Sequence, residues 1–308
     1  MLSRIAESLF WIGRYVERAD GTARILDVHL ERLNGAEPSK HEAMNRELIG
    51  TMGFPPTEQA ALSTLLEVLA YGPDSPNSVT GALGAARENA RRARETVSSS
   101  VWEALNATWH GLQQSRKDVV GTYRFCAWVQ ERTAMIRGLA DSTMSHDEAW
   151  LFLELGRQIE RADMTARLLE TRESELMGLS WMNLLRSAGA YESFLRTQHS
   201  AVSEDRAAEF LLLDPLFPRS VFRALRGAER TLQQLDPAAE RQIGVLDRAR
   251  RLIGGIRSKL EYATVDDLVA DLPQVLRLVQ LTCSQAADAV TKKYFAQGQQ
   301  MSWVGELS

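Results

Sequence analysis

The strongest constraint on this chain is a charged segment that occurs twice. Residues 13–27 read GRYVERADGTARILD, and residues 156–170 read GRQIERADMTARLLE. Ten of these fifteen positions are identical, and three others differ conservatively. A second pair, PNSVTGAL at 76–83 and PRSVFRAL at 218–225, recurs at almost the same spacing. Two blocks repeated at one spacing predict an ancestral tandem duplication, and so long a period indicates duplicated domains rather than a solenoid.

The predicted domain boundaries follow from that spacing. The first helical repeat is expected over 1–142 and the second over 143–295, followed by a loosely held tail at 296–308. We expect the two repeats to pack together as one compact unit.

The fold class is predicted to be all-α. Apolar residues near the start recur at steps of three and four, from Ile5 to Leu9 and Ile12, which is the pattern of one helix face. No segment alternates with a period of two, and the prolines fall mostly between periodic segments. Because the connections are short, neighbouring helices are expected to run antiparallel, as in a bundle. The predicted helices, about six in each half, are 3–34, 40–52, 57–71, 78–97, 100–115, 117–142, 146–175, 180–198, 203–213, 218–235, 238–263 and 264–295.

Composition argues against some classes of function. The 308 residues are 44% hydrophobic and 25% charged, so a well-filled core is available. A net charge of −4 argues against bulk nucleic-acid binding, which usually requires a basic excess. Cys126 and Cys283 are isolated, which favours a reducing compartment and provides neither a disulfide framework nor a CxxC metal site.

No membrane segment is predicted. No uncharged apolar run approaches the roughly 20 residues that a membrane span needs. The start, MLSRIAESLFWIGRYVERAD, is interrupted by Glu7 and leads directly into the repeated segment, so we interpret it as part of the first helix rather than as a signal peptide. The predicted compartment is the cytoplasm.

The repeated polar residues form a row along their helix. In the first copy the row consists of Gly13, Glu17, Asp20 and Arg24. At about 100° per residue these fall within roughly 60° of one another, beside the apolar face rather than opposite it. A row in this position is partly shielded from water, and buried charges need partners. If the halves pack with approximate twofold symmetry, the rows are expected to line one groove, formed by Glu17, Arg18, Asp20, Arg24, Glu160, Arg161, Asp163 and Arg167.

Gly13 and Gly156 occupy matching positions in the two rows. Inside a helix, a glycine costs about 1 kcal/mol relative to alanine. We therefore expect another helix or a ligand to approach the backbone closely at these positions.

Two interpretations of the row are open at this point. The charges are either a ligand site or structural ion pairs that hold two helices in register. The duplication has preserved polar residues better than apolar ones, which favours a site. Two copies of one gene, however, also retain a shared packing device.

A second charged cluster lies at 86–95, ARENARRARE. Arg87, Arg91 and Arg94 share one helix face, with Glu88 on the adjacent one, and three aligned arginines can grip a phosphate or carboxylate by bidentate hydrogen bonds. The alternative is a solvated face stabilised by ion pairs one turn apart.

The segment FPRS at 217–220 is predicted to open a helix, because Pro218 suits a first turn. Ser220 or the neighbouring backbone N–H groups are candidates to receive an anion, with Arg219 beside them. The alternative is an ordinary helix start.

Several motifs that carry catalytic or nucleotide-binding chemistry are absent. The sequence lacks HExxH, GxxxxGK[ST] and GxGxxG, and no histidine is preceded by glutamate at the di-iron spacing. We expect no metal and no cofactor. Any catalysis would depend on carboxylates and arginines, so Glu17 and Glu160 are the candidate catalytic residues.

Five segments carry a resemblance to a known family: MLSRIAESLFWIGRYVERADGTARILD, ARENARRARETVSSSVWEALN, LGRQIERADMTARLL, WMNLLRSAGAYESFLR and FLLLDPLFPRSVFRAL. Together they resemble the bacterial alpha-E domain family, whose name reflects an all-helical fold with an E-R motif. The resemblance spans nearly the whole chain.

The resemblance implies intracellular bacterial proteins that are commonly encoded beside, or fused to, an ATP-grasp-type amide ligase, often with a transglutaminase-like protease. It therefore implies a system that makes or attaches short peptides. Many relatives have Glu-Asn after the E-R-A pattern. Here Asp20-Gly21 and Asp163-Met164 stand there, so an Asn-dependent ligand contact is not expected. The family motifs fall on Glu17-Arg18-Ala19, Glu160-Arg161-Ala162, Arg87 to Arg91 with Arg94-Glu95, and Pro218-Arg219-Ser220.

The expected function is that of a partner of an ATP-grasp-type amide ligase that binds an anionic, peptide-like ligand in the charged groove. A stand-alone acid–base enzyme and a non-catalytic scaffold are the alternatives. The arginines would hold the anion, and the glutamates would orient them or bind an amine of the substrate. The expected ligand-binding residues are Arg14, Glu17, Arg18, Asp20, Arg24, Arg87, Glu88, Arg91, Arg94, Arg157, Glu160, Arg161, Asp163, Arg167, Arg219 and Ser220.

Overall fold

The computed structural model describes residues 1–55, 57, 59–112, 119–171, 181–197, 203–237 and 247–295. Within these ranges the regular secondary structure is entirely helical, which confirms the predicted fold class. None of the helices in the described ranges combines the length and the apolar character that crossing a bilayer requires.

The helices follow the chain in one series. Before residue 145 they are α1 (Ser3–Gly35), α2 (His41–Thr51), α3 (Leu62–Leu66), α4 (Val79–Arg92), α5 (Ser99–Leu112) and α6 (Val119–Thr143). After it they are α7 (Glu148–Glu170), α8 (Trp181–Ser187), α9 (Tyr191–Thr197), α10 (Glu204–Leu213), α11 (Val221–Leu235), α12 (Arg248–Tyr262), α13 (Val265–Ala270) and α14 (Leu272–Val290). Single π-helical turns follow α3 at Glu67–Tyr71 and α14 at Thr291–Phe295.

Helices α1 and α7, which carry the two copies of the charged segment, form the centre of the molecule. Helix α1 packs against α7, α4 and α6, and α7 packs against α1, α11 and α14. Enclosed on several sides, both helices bury polar as well as apolar residues over their middle turns. One continuous apolar core joins elements from both predicted halves.

The two central helices run in the same direction. Their contacts advance together along both helices, from the Met1 amino group with Glu148, through Gly13 with Leu153, to Gly21 with Met164. The central pair is therefore parallel. The antiparallel orientation was expected for consecutive helices joined by short connections, and α1 and α7 are not consecutive.

The glycines at 13 and 156 are the points of closest approach. A Cβ atom at Gly13 would lie 2.0 Å from the carbonyl oxygen of Leu153, and one at Gly156 would lie 2.0 Å from that of Phe10. The predicted close approach is thus made by the partner helix, and no side chain larger than hydrogen fits at either position.

Several predicted helix boundaries were wrong. The helix expected over 180–198 is two helices, because Gly189 adopts a φ of +66° that reverses the chain between them. The helix expected over 264–295 breaks before α14, which starts with a proline in its first turn. The helix expected over 57–71 starts only at Leu62, and the one expected over 78–97 ends at Arg92. Residues 238–246 and the tail at 296–308 lie outside the described residues.

The relation between the two halves is visible in their contacts. Helices α4 and α11 occupy corresponding places beside α1 and α7, as do α6 and α14. Ser78 and Ser220 each cap the helix that follows, α4 and α11, by accepting a hydrogen bond from a backbone N–H. This arrangement is consistent with the predicted duplication and with repeats at 1–142 and 143–295, which both stay predictions.

Candidate functional site

The repeated charges meet along the contact between α1 and α7, where they form two separate clusters rather than one groove. The Glu17 side consists of Glu17 and Asp20 with Arg24, Arg137, Arg161 and Arg219. The Glu160 side consists of Glu160 and Asp163 with Arg14, Arg18 and Arg167. In each cluster the glutamate accepts hydrogen bonds from the other helix, so the two clusters lock α1 to α7.

Glu17 has three arginine partners. Arg161 binds it through two hydrogen bonds, from Nε to Oε1 at 2.8 Å and from Nη2 to Oε2 at 2.9 Å. Arg219 donates from Nη1 to Oε1 at 2.7 Å, and Arg137 adds a longer contact of 3.5 Å. Burial alone would raise the pKa of Glu17, but these arginines outweigh it and hold the pKa well below its usual value.

Asp20 is equally well paired. Its Oδ2 atom accepts hydrogen bonds from Arg24 Nε at 2.9 Å and from Arg219 Nη2 at 2.5 Å, and Oδ1 accepts one from the hydroxyl of Thr133 at 2.9 Å. Burial opposes ionisation here too, but Arg219, Arg24 and Arg137 lower the pKa of Asp20 below its ordinary value. One side chain, Arg219, therefore bridges both carboxylates of this side.

Glu160 repeats the bidentate pairing with the helices exchanged. Arg18 donates from Nε to Oε1 at 2.5 Å and from Nη2 to Oε2 at 3.0 Å, and Arg14 Nε donates to Oε2 at 2.6 Å. Burial opposes ionisation, yet Arg14 and Arg18 lower the pKa of Glu160 to about 2. Both candidate catalytic glutamates are therefore ionised and hydrogen-bonded at neutral pH.

Asp163 differs from its counterpart Asp20. Among the described residues it has a single hydrogen-bond donor, Arg167 Nε, at 2.8 Å from Oδ2. Burial dominates, and although Arg167 opposes it, the pKa of Asp163 is raised above its ordinary value. Asp163 is nevertheless only 8% exposed, so this carboxylate is buried and under-paired.

The difference arises from two positions outside the repeated row. The loop before α4 carries Asn77 at the place in the repeat where the loop before α11 carries Arg219. Asn77 is too short to bridge the acids, and its Oδ1 instead accepts a hydrogen bond from Arg18 at 2.8 Å. In addition, Arg137 projects from α6 toward Glu17, whereas the residues that line the pocket from α14 include Gln280, Ser284 and Asp288 and no arginine.

The shorter side chains leave an open pocket on the Glu160 side. Its volume is about 260 Å³, and three arginines and three carboxylates lie among its walls. The space beside Glu17 and Arg137 amounts to only about 10 Å³, which is too small for a ligand. The pocket is lined by Trp11, Arg14, Arg18, Met52, Gly53, Asn77, Glu160, Asp163, Met164, Arg167, Gln280, Ser284, Ala287, Asp288 and Thr291.

The outer arginines of the two rows tie the central pair to neighbouring helices. Arg24 Nη1 donates to the carbonyl oxygen of Ser187 at 3.0 Å, and Arg167 Nη1 donates to that of Thr51 at 2.5 Å. These two carbonyls lie at the ends of α8 and α2, where unsatisfied acceptors face a cation favourably.

The α4 arginines do not join either cluster. Arg87 donates to Asn106 at 2.8 Å and, like Arg94, lies over the ring of Trp102. Arg91 forms an exposed ion pair with Glu88. This arrangement agrees with the alternative of a solvated, ion-paired face, and a ligand role for these residues stays a prediction.

Other predicted residues also have structural partners. Ser220 is fully buried, caps α11 by accepting from the N–H of Arg223, and donates to the carbonyl of Asp214, so its hydroxyl is occupied. Arg157 pairs with Asp141 and Glu154 rather than with Glu17. The helix expected from Pro218 begins only at Val221, so the segment 217–220 is the turn before α11, and it delivers Arg219 to the carboxylates of α1.

Four residues in or beside the two clusters were not predicted from the sequence, and three of them have no signal there. Arg137 and Thr133 lie on α6, which has no repeated motif, and Ser284 lies on α14. Asn77 falls within the second repeated block, where its mismatch with Arg219 was visible, but only the packing shows what that mismatch changes.

A family model matches the sequence of this chain. The model, Alpha-E, is described as a predicted alpha-helical domain with a conserved ER motif, and it matches residues 1–295. The chain is also similar to uncharacterized proteins of Mycobacterium bovis and Mycobacterium tuberculosis, each 24% identical over 328 aligned positions. These matches cover 95% of the chain but only 37% of each relative, so the chain spans little more than a third of their length. No solved structure matches.

Proposed function

Because this chain belongs to the Alpha-E family, we propose that it binds the anionic end of a peptide-like ligand in the pocket of the Glu160 side and acts as a partner of an ATP-grasp-type amide ligase. The single observation that carries the binding proposal is the state of Arg14, which faces this pocket with unused hydrogen-bond donors.

Arg14 combines a fixed position with free terminal nitrogens. Its Nε is anchored on Glu160, and its guanidinium lies over the rings of Phe10 and Trp11. Neither Nη atom has an acceptor among the described residues, and Arg167 Nη2 is in the same condition. Guanidinium N–H groups in this geometry suit bidentate hydrogen bonding to a carboxylate or phosphate.

The pocket restricts the size of the ligand. Drug-sized ligands occupy pockets of roughly 300–1,000 Å³, and this one is about 260 Å³. A single amino acid or the end of a short peptide is therefore the proposed occupant.

The ligase partnership rests on the family resemblance, since such ligases are commonly encoded beside these domains. It implies a cytoplasmic setting, where ATP and short peptides are both present. The pocket would hold a carboxylate-bearing intermediate for the ligase.

A general acid–base mechanism at the two glutamates is not favoured by the geometry. A general base works best with a pKa near the operating pH. Arginines hold the pKa of Glu17 well below its usual value and that of Glu160 at about 2. We therefore assign the glutamates the role of positioning arginines.

The test compares tagged wild-type protein with Arg14→Lys, purified from the native host. Lysine keeps the charge beside Glu160 but loses the planar fork. Mass spectrometry of the co-purified material is expected to find an ATP-grasp-type ligase with both proteins and a carboxylate-bearing small molecule with the wild type only.

Arg92→Lys is the matched control, because Arg92 is exposed on α4 and does not line this pocket. It should retain the small molecule at the wild-type level. Equal recovery of that molecule with Arg14→Lys would show that the pocket does not bind it. Absence of a ligase from the wild-type sample would contradict the partnership.

A further inference from the structure

The two sides of the central helix pair contain the same two acids but different numbers of cations. On the Glu17 side, Arg219 donates to Glu17 at 2.7 Å and to Asp20 at 2.5 Å, so one guanidinium neutralises both carboxylates. Arg137 approaches the same pair at 3.5 and 3.6 Å.

Among the described residues, no arginine bridges the two acids of the Glu160 side. Asn77 stands at the position in the repeat that corresponds to Arg219, and α14 lines the pocket with Gln280, Ser284 and Asp288. Asp163 lines the resulting pocket, is more than nine-tenths buried, and has only Arg167 as a hydrogen-bond donor. A buried carboxylate in this condition lacks the compensation that its twin receives.

We infer that the ligand of this pocket carries a cationic group, a guanidinium or a primary ammonium, that binds Asp163 in the position that Arg219 occupies beside Asp20. The inference deepens the proposed function and rests on the same pocket, but it does not depend on the carboxylate contact with Arg14. Taken together, Arg14 and Asp163 describe a zwitterionic ligand, such as a basic amino acid or the end of a basic peptide.

The charges around the pocket agree with this class of ligand. Asp288 also lines the pocket and adds a second carboxylate, whereas Arg18 is engaged by Glu160 and Asn77. The raised pKa of Asp163, caused by its burial, is the response expected of a carboxylate that lacks a cationic partner.

The test measures calorimetric binding of four small probes to the full chain at millimolar concentration. Agmatine has two cationic groups and no carboxylate, and Nα-acetyl-L-arginine has a guanidinium and a carboxylate. Nα-acetyl-L-citrulline replaces that guanidinium by a neutral urea and has no ammonium, and N-acetylglycine has only the carboxylate. Nα-acetyl-L-arginine and agmatine are expected to bind, and Nα-acetyl-L-citrulline is expected to bind at least about tenfold more weakly than Nα-acetyl-L-arginine.

Two variants place the binding at Asp163. Asn77→Arg should supply the missing guanidinium from the chain itself and abolish agmatine binding, while leaving the melting temperature unchanged or higher. Asp163→Asn should weaken agmatine binding at least about tenfold through the loss of the carboxylate. Ser142→Arg, on the exposed end of α6, adds the same charge elsewhere and should bind like the wild type.

The possible failures separate the two proposals. Equal binding of Nα-acetyl-L-citrulline and Nα-acetyl-L-arginine, or unchanged agmatine binding in Asn77→Arg, would overturn the cationic inference. If N-acetylglycine alone binds, the carboxylate proposal stands and the cationic one fails. If agmatine alone binds, the cationic inference stands and the carboxylate proposal fails. If none of the four binds the wild type, both are wrong.

Discussion

The Glu17 side and the Glu160 side present nearly the same sequence to different surroundings. Each has a glutamate held by a bidentate arginine from the other central helix and an aspartate held by an arginine one turn further along. Among the described residues, the Glu17 side also receives Arg137 and Arg219 from outside the central helices, whereas the additional arginine of the Glu160 side, Arg14, belongs to α1 itself. One side is consequently a closed ion-pair network, and the other opens into a pocket.

The pKa values of the two aspartates record this difference. Both are buried, which disfavours their charged form. The pKa of Asp20 is nevertheless lowered because Arg219, Arg24 and Arg137 surround it, whereas that of Asp163 is raised because burial outweighs Arg167. Identical residues in the two copies of the motif can thus have opposite electrostatic surroundings, and the under-paired aspartate lines the pocket of the Glu160 side.

The largest expected loss of stability is that of Gly13→Ala or Gly156→Ala. Either variant would disrupt the contact between α1 and α7, along which both charged clusters lie. The added methyl group would overlap a backbone carbonyl oxygen of the partner helix, which cannot rotate away as a side chain can. We expect a cost upward of about 3 kcal/mol, or no stable fold, in urea unfolding followed by circular dichroism.

Gly138→Ala is the control for these glycine variants. It also lies within a helix, but a methyl group there meets nothing within 4 Å, so this change should stabilise the protein by up to about 1 kcal/mol. Equal stability of Gly13→Ala and Gly138→Ala would refute the close parallel contact of α1 and α7.

The next largest effect is a difference in stability between variants of the two aspartates, Asp20 and Asp163. Asp20→Asn removes the charge that three arginines share and should cost about 3–5 kcal/mol in the free energy of unfolding. Asp163→Asn removes a charge that the fold disfavours, so at neutral pH it should change stability by less than about 0.5 kcal/mol or increase it. Chemical unfolding of the pair at pH 7 measures the contrast, and similar losses in both variants would mean that the two aspartates are equally well paired.

The smallest expected effect is the change with pH in the stability difference between Asp20→Asn and Asp163→Asn. Since the pKa of Asp20 is lowered, its stabilising contribution is present above its ordinary pKa of 3.8 and is lost as the pH falls below that value. Since the pKa of Asp163 is raised, its ionisation destabilises the fold, and this cost appears as the pH rises through 3.8 and the raised pKa.

Unfolding curves collected from about pH 7 to about pH 3 should therefore show both variants converging on the wild type at low pH, Asp20→Asn from lower stability and Asp163→Asn from equal or higher stability. A stability gap of the same sign for both variants would be inconsistent with the opposite pKa shifts.

Much of the frame could be predicted from sequence because it depends on local periodicity. The steps of three and four in the repeated segments predicted the helices that became α1 and α7, and the cost of glycine within a helix predicted the close contact at Gly13 and Gly156. The expectation that the charged row is partly buried was also confirmed. The expectation of a single groove was wrong, because bidentate pairing closes Glu17 and Glu160 into separate clusters.

The sequence by itself determined the all-helical class, the repeated charged row and the burial of that row, since each follows from which residues share a helix face. Only the tertiary structure decided which row is neutralised within the chain. That outcome depends on Arg137 and Arg219, which are distant from Glu17 in sequence and reach it through packing. It also depends on the shorter side chains of Asn77 and Ser284, which line the pocket on the Glu160 side. The electrostatics of a buried carboxylate depend on the distances to its neighbours, and those distances exist only in the folded chain.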